Sequence, residues 1–271
     1  SKKLARANWK GSGDKSLDEK WFKIREELNP TEFLGYEFDK AEGVVLKILK
    51  NNKFVDTVKT GDEVEIITNQ TPFYGESGGQ VGDQGLIFNS ECKINIKDTQ
   101  KKMGDLFVHL GKVEKGSLMI GQSVNLEIDV KKRNNSKANH SATHLLHESL
   151  RRTLGKHVTQ KGSLVSPERL RFDFSHNKLI EKDEMIKINA AVNKIVQTAS
   201  EVQTRIMTPK EAVNMGALAL FGEKYGDEVR VVFIGKESNG FFSTELCGGT
   251  HVKNIKEVGK FKVISQASIA S

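Results

Sequence analysis

The amino-acid sequence predicts an α+β fold in which a small β-barrel precedes a mixed α/β region. Three observations support this prediction. Short runs rich in β-branched residues, separated by turn residues, fill positions 31 to 130. Helical and strand-like patterns alternate after position 131, and the longest helical pattern there carries several histidines. The predicted organisation is a helical tail or linker over residues 1–30, a barrel over 31–130 and an α/β region over 131–271.

The composition is typical of a soluble globular protein, with 37% hydrophobic and 28% charged residues. No apolar run approaches the roughly 20 residues of a membrane helix, and the basic start lacks the apolar stretch of a signal peptide. The cysteines, Cys92 and Cys247, argue against a disulfide framework and predict a reducing, cytoplasmic location. The net charge of +7 favours a polyanionic partner such as nucleic acid, although a basic enzyme without one has the same charge. Ser1 in place of Met indicates a fragment.

The first elements are helical and then β-rich. An apolar stripe from Leu17 to Leu28 has helical spacing and ends at Asn29-Pro30. Alternating apolar residues then predict strands, with Asn51-Asn52 as the turn of a first hairpin. The predicted strands are 44–49, 54–58, 64–67, 93–96 and 124–128. Many short strands at regular spacing are typical of a small barrel.

Beyond residue 131 the predicted elements are mixed. A helix from about Ser136 to Leu154 ends at Gly155, and a second helix carries an apolar stripe from Met185 to Ala199. The segment 208–211 (TPKE) has the pattern of a capping box with proline at the first helical position, so a third helix begins there. The predicted strands are 164–165, 170–174, 229–234, 241–246 and 261–265.

The histidine-bearing helix is the first candidate site. His140 and His144 are four residues apart and therefore lie one above the other on a helix. At about 100° per residue, the packing positions fall on the opposite face. Those positions are Ala142, Leu145, Leu146, Ser149 and Leu150. Two imidazoles at this spacing can share one zinc ion, and a solvated polar face with ordinary histidines is the alternative.

A second segment supplies further candidate ligands. Cys247 and His251 flank Gly248-Gly249, and the glycines permit a tight turn that brings the thiol and the imidazole together. With the two helix histidines they form a His₃Cys set, which suits a tetrahedral zinc ion. A buried structural thiol is the alternative for Cys247 alone, and His147 is an alternative ligand. The sequence lacks His-Glu-x-x-His, which argues against that class of zinc metalloprotease.

The same segments carry a family resemblance. NHSATHLLH at 139–147, VTQKGS at 158–163 with LRFDF at 170–174, and CGGTH at 247–251 closely resemble the editing domain of alanyl-tRNA synthetases. The free-standing alanyl-tRNA editing proteins share the histidine and cysteine motifs. TPFYGESGGQVGD at 71–83 and ALFGEKYG at 219–226 extend the resemblance, which covers nearly the whole chain from about residue 31.

The resemblance implies a small β-barrel followed by an α/β editing core with a zinc-bearing helix. It implies zinc held by His140, His144, Cys247 and His251. It also places Thr143 and Gln160 in the pocket that receives the misattached amino acid. Taken without the resemblance, Thr143 is equally a helix residue that bonds its own backbone, and Gln160 is equally a surface amide in a loop.

The implied reaction is hydrolysis of the ester that joins serine or glycine to the terminal adenosine of tRNA(Ala). One methylene is worth roughly 1–3 kcal/mol, so a pocket for alanine discriminates weakly against its neighbours and a second, hydrolytic site is needed. Zinc either activates the attacking water or fixes the tRNA end and the pocket, and four protein ligands favour the second role. Full-length family members attach alanine to tRNA(Ala) with ATP, but nothing in this sequence resembles that core. The family continues with an arginine-rich segment beyond Ser271, so we expect a C-terminally truncated editing domain.

Basic residues around the histidine helix predict phosphate contacts with the tRNA acceptor stem, although each alone is equally a solvated charge. They are Lys131, Lys132, Arg133, Lys137, Arg151, Arg152, Lys156 and Lys161. Gly78-Gly79-Gln80 resembles the tripeptide of peptide-release factors, but we favour a barrel turn near the pocket.

Two other functions stay open at this point. A tRNA-binding module with a structural zinc would hold tRNA without hydrolysing the ester. A generic zinc hydrolase would cleave small esters or amides without RNA, and the basic face argues against it.

Overall fold

A computed structural model describes residues 15–218 and 226–268 of the chain. It has an α+β fold in which a closed antiparallel barrel of six strands precedes a mixed α/β part, so the predicted fold class is confirmed. The helices are α1 (Lys15–Glu27), α2 (Val130–Leu154), α3 (Lys182–Gln197), α4 (Pro209–Asn214) and a 3₁₀ turn (Ile255–Val258). The first strands are β1 (Glu32–Phe33), β2 (Lys40–Lys50), β3 (Lys53–Val55), β4 (Thr57–Lys59), β5 (Glu63–Thr68), β6 (Gln70–Thr71), β7 (Gly85–Phe88), β8 (Cys92–Lys102), β9 (Leu106–Met119) and β10 (Ser123–Ile128). The later strands are β11 (Gln160–Val165), β12 (Leu170–Phe174), β13 (Gln203–Met207), β14 (Val229–Glu237) and β15 (Gly240–Leu246).

The barrel closes because β2 pairs with both β5 and β10. Around the ring the order is β2, β10, β7, β8, β9 and β5, and every neighbouring pair is antiparallel. Apolar side chains that alternate along these strands fill the interior. They include the fully buried Val45, Ile66, Ile87, Ile94 and Leu126.

The first hairpin forms only in part as predicted. β2 and β3 pair around Asn51-Asn52, whose φ angles of 51° and 60° suit the mirror-image turn that asparagine tolerates. Val58, predicted to continue the strand of Phe54, belongs instead to β4, which pairs with β9. The chain changes partner there because Val58 is buried in the barrel interior.

Helix α1 docks on the outer surface of the barrel. Trp21 and Ile24 pack against Leu49 and Ile67, which alternate with residues that face the interior. Arg25 of the same helix forms a two-pronged ion pair with Asp105, with N–O distances of 2.7 and 2.9 Å. The helix is therefore packed on the barrel and is not a free extension.

Helix α2 is central to the second part. It contacts α3, the β11–β12 hairpin, the 3₁₀ turn and the sheet of β13, β14 and β15. The predicted stripe on α3 is buried at Ile188, Val192 and Ile195. The predicted start of α4 is also confirmed, because Thr208 Oγ1 accepts a hydrogen bond from Glu211 N–H and the glutamate bonds back.

Helix boundaries differ from the prediction at two points. Helix α2 begins at Val130 rather than near Ser136, because Asp129 caps it by accepting a hydrogen bond of 3.0 Å from Lys132 N–H. Ala199, predicted to be the last residue of the α3 stripe, lies outside the helix. It is exposed and has a φ of 49°.

The strand predicted at 261–265 is wrong: no strand is present in the described residues after β15. The N–H groups of Phe261 and Val263 instead donate to the side-chain oxygens of Asn193 and Asn189 on α3, at 2.9 and 2.8 Å. Because these amides satisfy the backbone, the alternating apolar residues pack without a neighbouring strand.

None of the helices in the described part of the chain is long and apolar enough to cross a membrane. Residues 219–225, which include most of the ALFGEKYG motif, lie outside the described residues. The division of the chain at residues 30 and 130 into separate domains stays a prediction.

Candidate metal centre and the adjoining cavity

Four predicted ligands meet in the second part of the chain: His140, His144, Cys247 and His251. One nitrogen or sulfur atom of each lies within 4.8 Å of the corresponding atoms of the others. Cys247 Sγ is 3.4 Å from His140 Nε2 and 3.3 Å from His251 Nε2. The three imidazole centroids are 4.4 to 5.3 Å apart. A cluster of this composition and spacing can hold a metal ion.

Two elements bring these side chains together. Helix α2 presents His140 and His144 from successive turns, and the segment after β15 presents Cys247 and His251. Gly249 lies directly against the ring of His140, since a Cβ at this position would be 2.0 Å from Cε1. Only glycine therefore lets the turn approach the helix closely enough to complete the cluster.

The buried side chain of Gln80 orients His140. Gln80 Oε1 accepts hydrogen bonds from Thr250 N–H at 2.9 Å and from His140 Nδ1 at 2.8 Å, while Nε2 donates to Thr250 Oγ1 at 2.8 Å. Because a backbone N–H can only donate, it fixes which end of the amide is the oxygen. His140 therefore carries its proton on Nδ1, and Nε2 faces the cluster.

Polar groups also face the other two histidines of the cluster. Ser141 Oγ is 3.1 Å from His251 Nδ1 and accepts a hydrogen bond from Val252 N–H. The carboxylate of Glu245 is 3.7 Å from His144 Nδ1, which has no hydrogen-bond partner. Partners of this kind set the orientation and the tautomer of metal-binding imidazoles.

Charge in the cluster favours a cation. Burial alone would raise the pKa of Cys247, but the surrounding imidazoles, His140 first among them, lower it well below its ordinary range. Burial alone would lower the pKa of His144, but the charges of Glu245 and Cys247 raise it to about 9. Burial and His140 lower the pKa of His251 well below its ordinary range. The thiolate and the carboxylate thus create a negative potential at the point where the ligand atoms meet.

A cavity of about 670 Å³ opens beside the cluster. Its walls come from α2, the β11–β12 hairpin, β14, β15 and the Gly-rich turn after β6. Thr143 and Gln160 both line it, together with His140, His144 and Cys247. Thr143 Oγ1 donates to Asn139 O at 2.8 Å, the local bond expected of a helical threonine, and its lone pairs stay free. Gln160 Nε2 makes a long contact of 3.3 Å with Ser163 Oγ.

His147, the alternative ligand, is not part of the four-residue cluster. Its Nδ1 is 3.1 Å from Glu245 Oε1, and its ring lies against Phe172. Glu245 is itself 7% exposed and lines the cavity. Glu245 therefore gives His147 a polar partner outside the four-residue cluster.

The prediction that Arg133 contacts RNA is wrong. Its side chain is 0% exposed and forms a buried ion pair with Asp83. It also donates to the carbonyl oxygens of Gly35 and Pro72, both at 2.7 Å. Since Asp83 offers the compensating charge, this arginine anchors the start of α2 to the barrel.

The other side chains predicted to contact RNA differ in their exposure and in the bonds they already make. Arg151 and Lys161 line the cavity, and Lys161 and Lys131 are exposed. Arg151 also donates to the carbonyl oxygens of Lys156 and Val158. Arg152 is engaged by Glu148 and Glu237, and Lys132 donates to Gln84. Lys137 is half-buried and Lys156 is exposed. Contact with RNA stays a prediction for these residues.

The sequence motifs contained two further site residues whose roles were missed. Gln80 was noted only as part of Gly78-Gly79-Gln80, which does form a turn beside the cavity. Gly79, with a φ of 85°, packs so tightly on Ser163 that a Cβ would be 2.1 Å from its Oγ. Glu245 directly precedes the cysteine motif. The available signals were the amide of Gln80 in a glycine-rich segment and the carboxylate of Glu245 at the end of a largely apolar strand.

Comparison with known proteins agrees with the resemblance. The family model described as "tRNA synthetases class II (A)" matches residues 1–132, and "Threonyl and Alanyl tRNA synthetase second additional domain" matches residues 229–271. The alanine–tRNA ligase of Nitrobacter winogradskyi is 53% identical over the whole chain, which covers 31% of that protein. That of Parvibaculum lavamentivorans is 51% identical over 98% of the chain, which covers 30% of that protein. The chain spans about 30% of the length of these curated relatives, and it belongs to the alanyl-tRNA synthetase family.

Proposed function

We propose that this chain hydrolyses the ester between a wrongly attached serine or glycine and tRNA(Ala), as the editing part of a longer alanine–tRNA ligase. One observation carries the proposal. Thr143 and Gln160, the residues that the family resemblance associates with the misattached amino acid, line the same cavity as three of the four clustered metal ligands. A cavity of about 670 Å³ has room for an aminoacyl group and the terminal nucleoside.

The ligand set fits zinc. Three imidazoles and one thiolate are the donors that zinc prefers, and four protein ligands fill a tetrahedral shell. The raised pKa of His144 and the lowered pKa of Cys247 both reflect a potential that a divalent cation would satisfy. When bound at His140, His144, Cys247 and His251, zinc supplies a fixed positive charge that holds the cavity wall together. We propose this organising role because the protein ligands leave no open position.

Thr143 is placed to select serine over alanine; a hydrogen bond to the substrate's hydroxyl plays no part in the cleavage proposed for glycine, which has no hydroxyl. The hydroxyl of Thr143 donates to Asn139 O, so its lone pairs can accept a hydrogen bond from the hydroxyl of serine. Alanine lacks that hydroxyl and leaves the acceptor unmatched. A site that hydrogen-bonds a hydroxyl rejects analogues without it far better than an apolar pocket does. The amide of Gln160, held only by its long contact with Ser163, is free to bond the ester or the ribose.

Arg151 and Lys161 are proposed to hold the RNA end. Both line the cavity, so their charges lie where the terminal phosphates of a bound tRNA would enter. Contacts of this kind are strongly salt-dependent and carry no sequence information. Attachment of alanine to tRNA(Ala) with ATP is proposed for the longer protein.

Deacylation of seryl-tRNA(Ala) and alanyl-tRNA(Ala) by the purified chain tests the proposal. We expect the seryl ester to be cleaved and the alanyl ester to be spared. Cys247→Ala should abolish cleavage, and Thr143→Val, which keeps the shape but removes the hydroxyl, should lower the preference for serine. Cys92→Ala is the matched control, because Cys92 lies in the barrel interior.

Two outcomes would contradict the proposal. Binding of tRNA without cleavage of either ester would identify a binding module with a structural metal. Equal cleavage of simple amino-acid esters without RNA would identify a generic hydrolase.

A further inference from the structure

Two side chains outside the ligand set hold the turn that carries Cys247. Arg230 Nη1 donates to the carbonyl oxygens of Cys247 at 2.9 Å and Gly249 at 2.8 Å. Tyr36 Oη donates to the carbonyl oxygen of Gly248 at 2.5 Å. The backbone adds a bond of 2.9 Å from Cys247 N–H to Arg230 O. Two side chains thus bind three successive carbonyl oxygens of one turn.

The two side chains also hold each other. The guanidinium of Arg230 lies over the ring of Tyr36, with 4.1 Å between its central carbon and the ring centroid. Stacking of this kind fixes the direction of the planar guanidinium, so that its N–H groups point at the carbonyls. The pair therefore acts as a unit.

The pair links distant parts of the chain. Arg230 lies on β14, at the cavity wall, whereas Tyr36 lies in the loop that leads into the first barrel strand. That loop is fixed in turn, because the buried Arg133 donates to Gly35 O at 2.7 Å. Arg133 thus bonds the residue directly before Tyr36.

The turn needs these contacts because its own sequence does little to restrict its conformation. Gly248 and Gly249 have no Cβ, so this segment loses more conformational freedom on ordering than any other dipeptide would. The cluster, however, requires one conformation, with Cys247 Sγ 3.3 Å from His251 Nε2. We infer that Arg230 and Tyr36 form a carbonyl clamp, a pair of positioning residues that sets metal affinity by holding this turn in its ligating conformation.

Zinc affinity of the whole chain tests the clamp. The inference rests on the proposed metal and not on hydrolysis, and the measurement uses Zn²⁺ alone, in competition with a chromophoric chelator and without RNA. Loss of an outer-shell partner typically lowers metal affinity about 10–100-fold, and we expect this for Arg230→Gln. Tyr36 is 38% exposed and supplies one bond, so Tyr36→Phe should cost roughly 2–10-fold.

A lysine variant separates geometry from charge. Lysine keeps the positive charge, but an ammonium on a flexible stem lacks the planar guanidinium that stacks over Tyr36 and aims both N–H groups of Nη1 at the two carbonyls. Arg230→Lys should therefore stay at least about tenfold weaker than the parent. Visible absorption of the Co²⁺-loaded chain reports the ligand geometry independently, and we expect it to change in Arg230→Gln.

Arg205→Gln is the matched control. Arg205 also stacks on an aromatic ring of the same sheet, 5.0 Å from the centroid of Phe233, but does not touch the turn. The affinity of the Arg205→Gln chain for zinc should equal that of the parent. Parent-like zinc affinity and Co²⁺ spectrum in Arg230→Gln would overturn the inference, and so would full recovery in Arg230→Lys. If Arg230→Gln does not fold, as judged by circular dichroism, the lysine and Tyr36→Phe variants decide the question.

Discussion

Replacing Gln80 by leucine tests how the metal centre is organised. Leucine fills a similar volume but makes none of the three hydrogen bonds that Gln80 forms with His140 and Thr250. Two buried donors, His140 Nδ1–H and Thr250 N–H, then have no acceptor. At about 1–3 kcal/mol for each, the free energy of unfolding should fall by about 2–6 kcal/mol.

The effect on the metal follows from the tautomer. Without the amide oxygen, nothing keeps the proton of His140 on Nδ1, and the form protonated on Nε2 cannot bind a metal through that atom. We expect Gln80→Leu to lower zinc affinity about 10–100-fold. Gln80→Glu keeps an accepting oxygen for both donors and should retain most of the affinity.

Chelator competition measures the affinity, and urea denaturation measures the stability. Gln100→Leu is the matched control, because the Gln100 amide donates to Glu76 and Asp98 and does not touch the cluster. A folded Gln80→Leu variant that binds zinc as tightly as the parent would refute the reasoning. The outer-shell bond would then have no part in orienting His140.

Three further predictions concern other regions. Arg133→Met leaves Asp83 buried without its partner, so urea denaturation should show a loss of about 3–5 kcal/mol, and Arg133→Met with Asp83→Asn should recover part of it. His109, fully buried between Thr71 Oγ1 and Ile66 O, has a pKa that burial lowers to about 4 from an ordinary 6.5. Below pH 6.5 the unfolded chain therefore binds a proton that the folded chain excludes. The free energy of unfolding should fall by about 3 kcal/mol as the pH falls from 6.5 to 4. In His109→Gln that part of the pH dependence should vanish; an unchanged profile would contradict it. Lys161→Gln should weaken tRNA binding and reduce the slope of log affinity against log salt by about 1, measured by filter binding, whereas an unchanged slope would exclude a phosphate contact.

Local patterns predicted the parts of the site that depend on local geometry. The spacing of His140 and His144 places both on one face of any helix, whatever surrounds it. Cys247 and His251 are likewise linked by a short turn that two glycines permit. The individual barrel strands follow from alternation, since each strand buries every second residue. These conclusions needed only the residues within one element.

Contacts between distant segments could not be predicted in the same way. Gln80 meets His140 across 60 positions of sequence, and Arg133 meets Asp83 across 50. Charged side chains are usually exposed, so the sequence favoured an exposed Arg133. The apolar alternation at Phe261 and Val263 was equally misleading, because asparagine side chains on α3 provide the partners that a strand would need. In each case a tertiary contact overrode the local pattern.

The residues of the site come from both matched segments and from the stretch of chain between them. The matched segments are residues 1–132 and 229–271, so His140 and His144 lie between them. Gln80 and Tyr36 belong to the first matched segment, and Cys247 and the clamp residue Arg230 belong to the second. The candidate metal centre therefore requires both segments to pack against helix α2. If the clamp and the Gln80 bond act as argued, substitutions in the barrel should change metal affinity as strongly as substitutions beside the ligands, because the barrel fixes two of the groups that orient them.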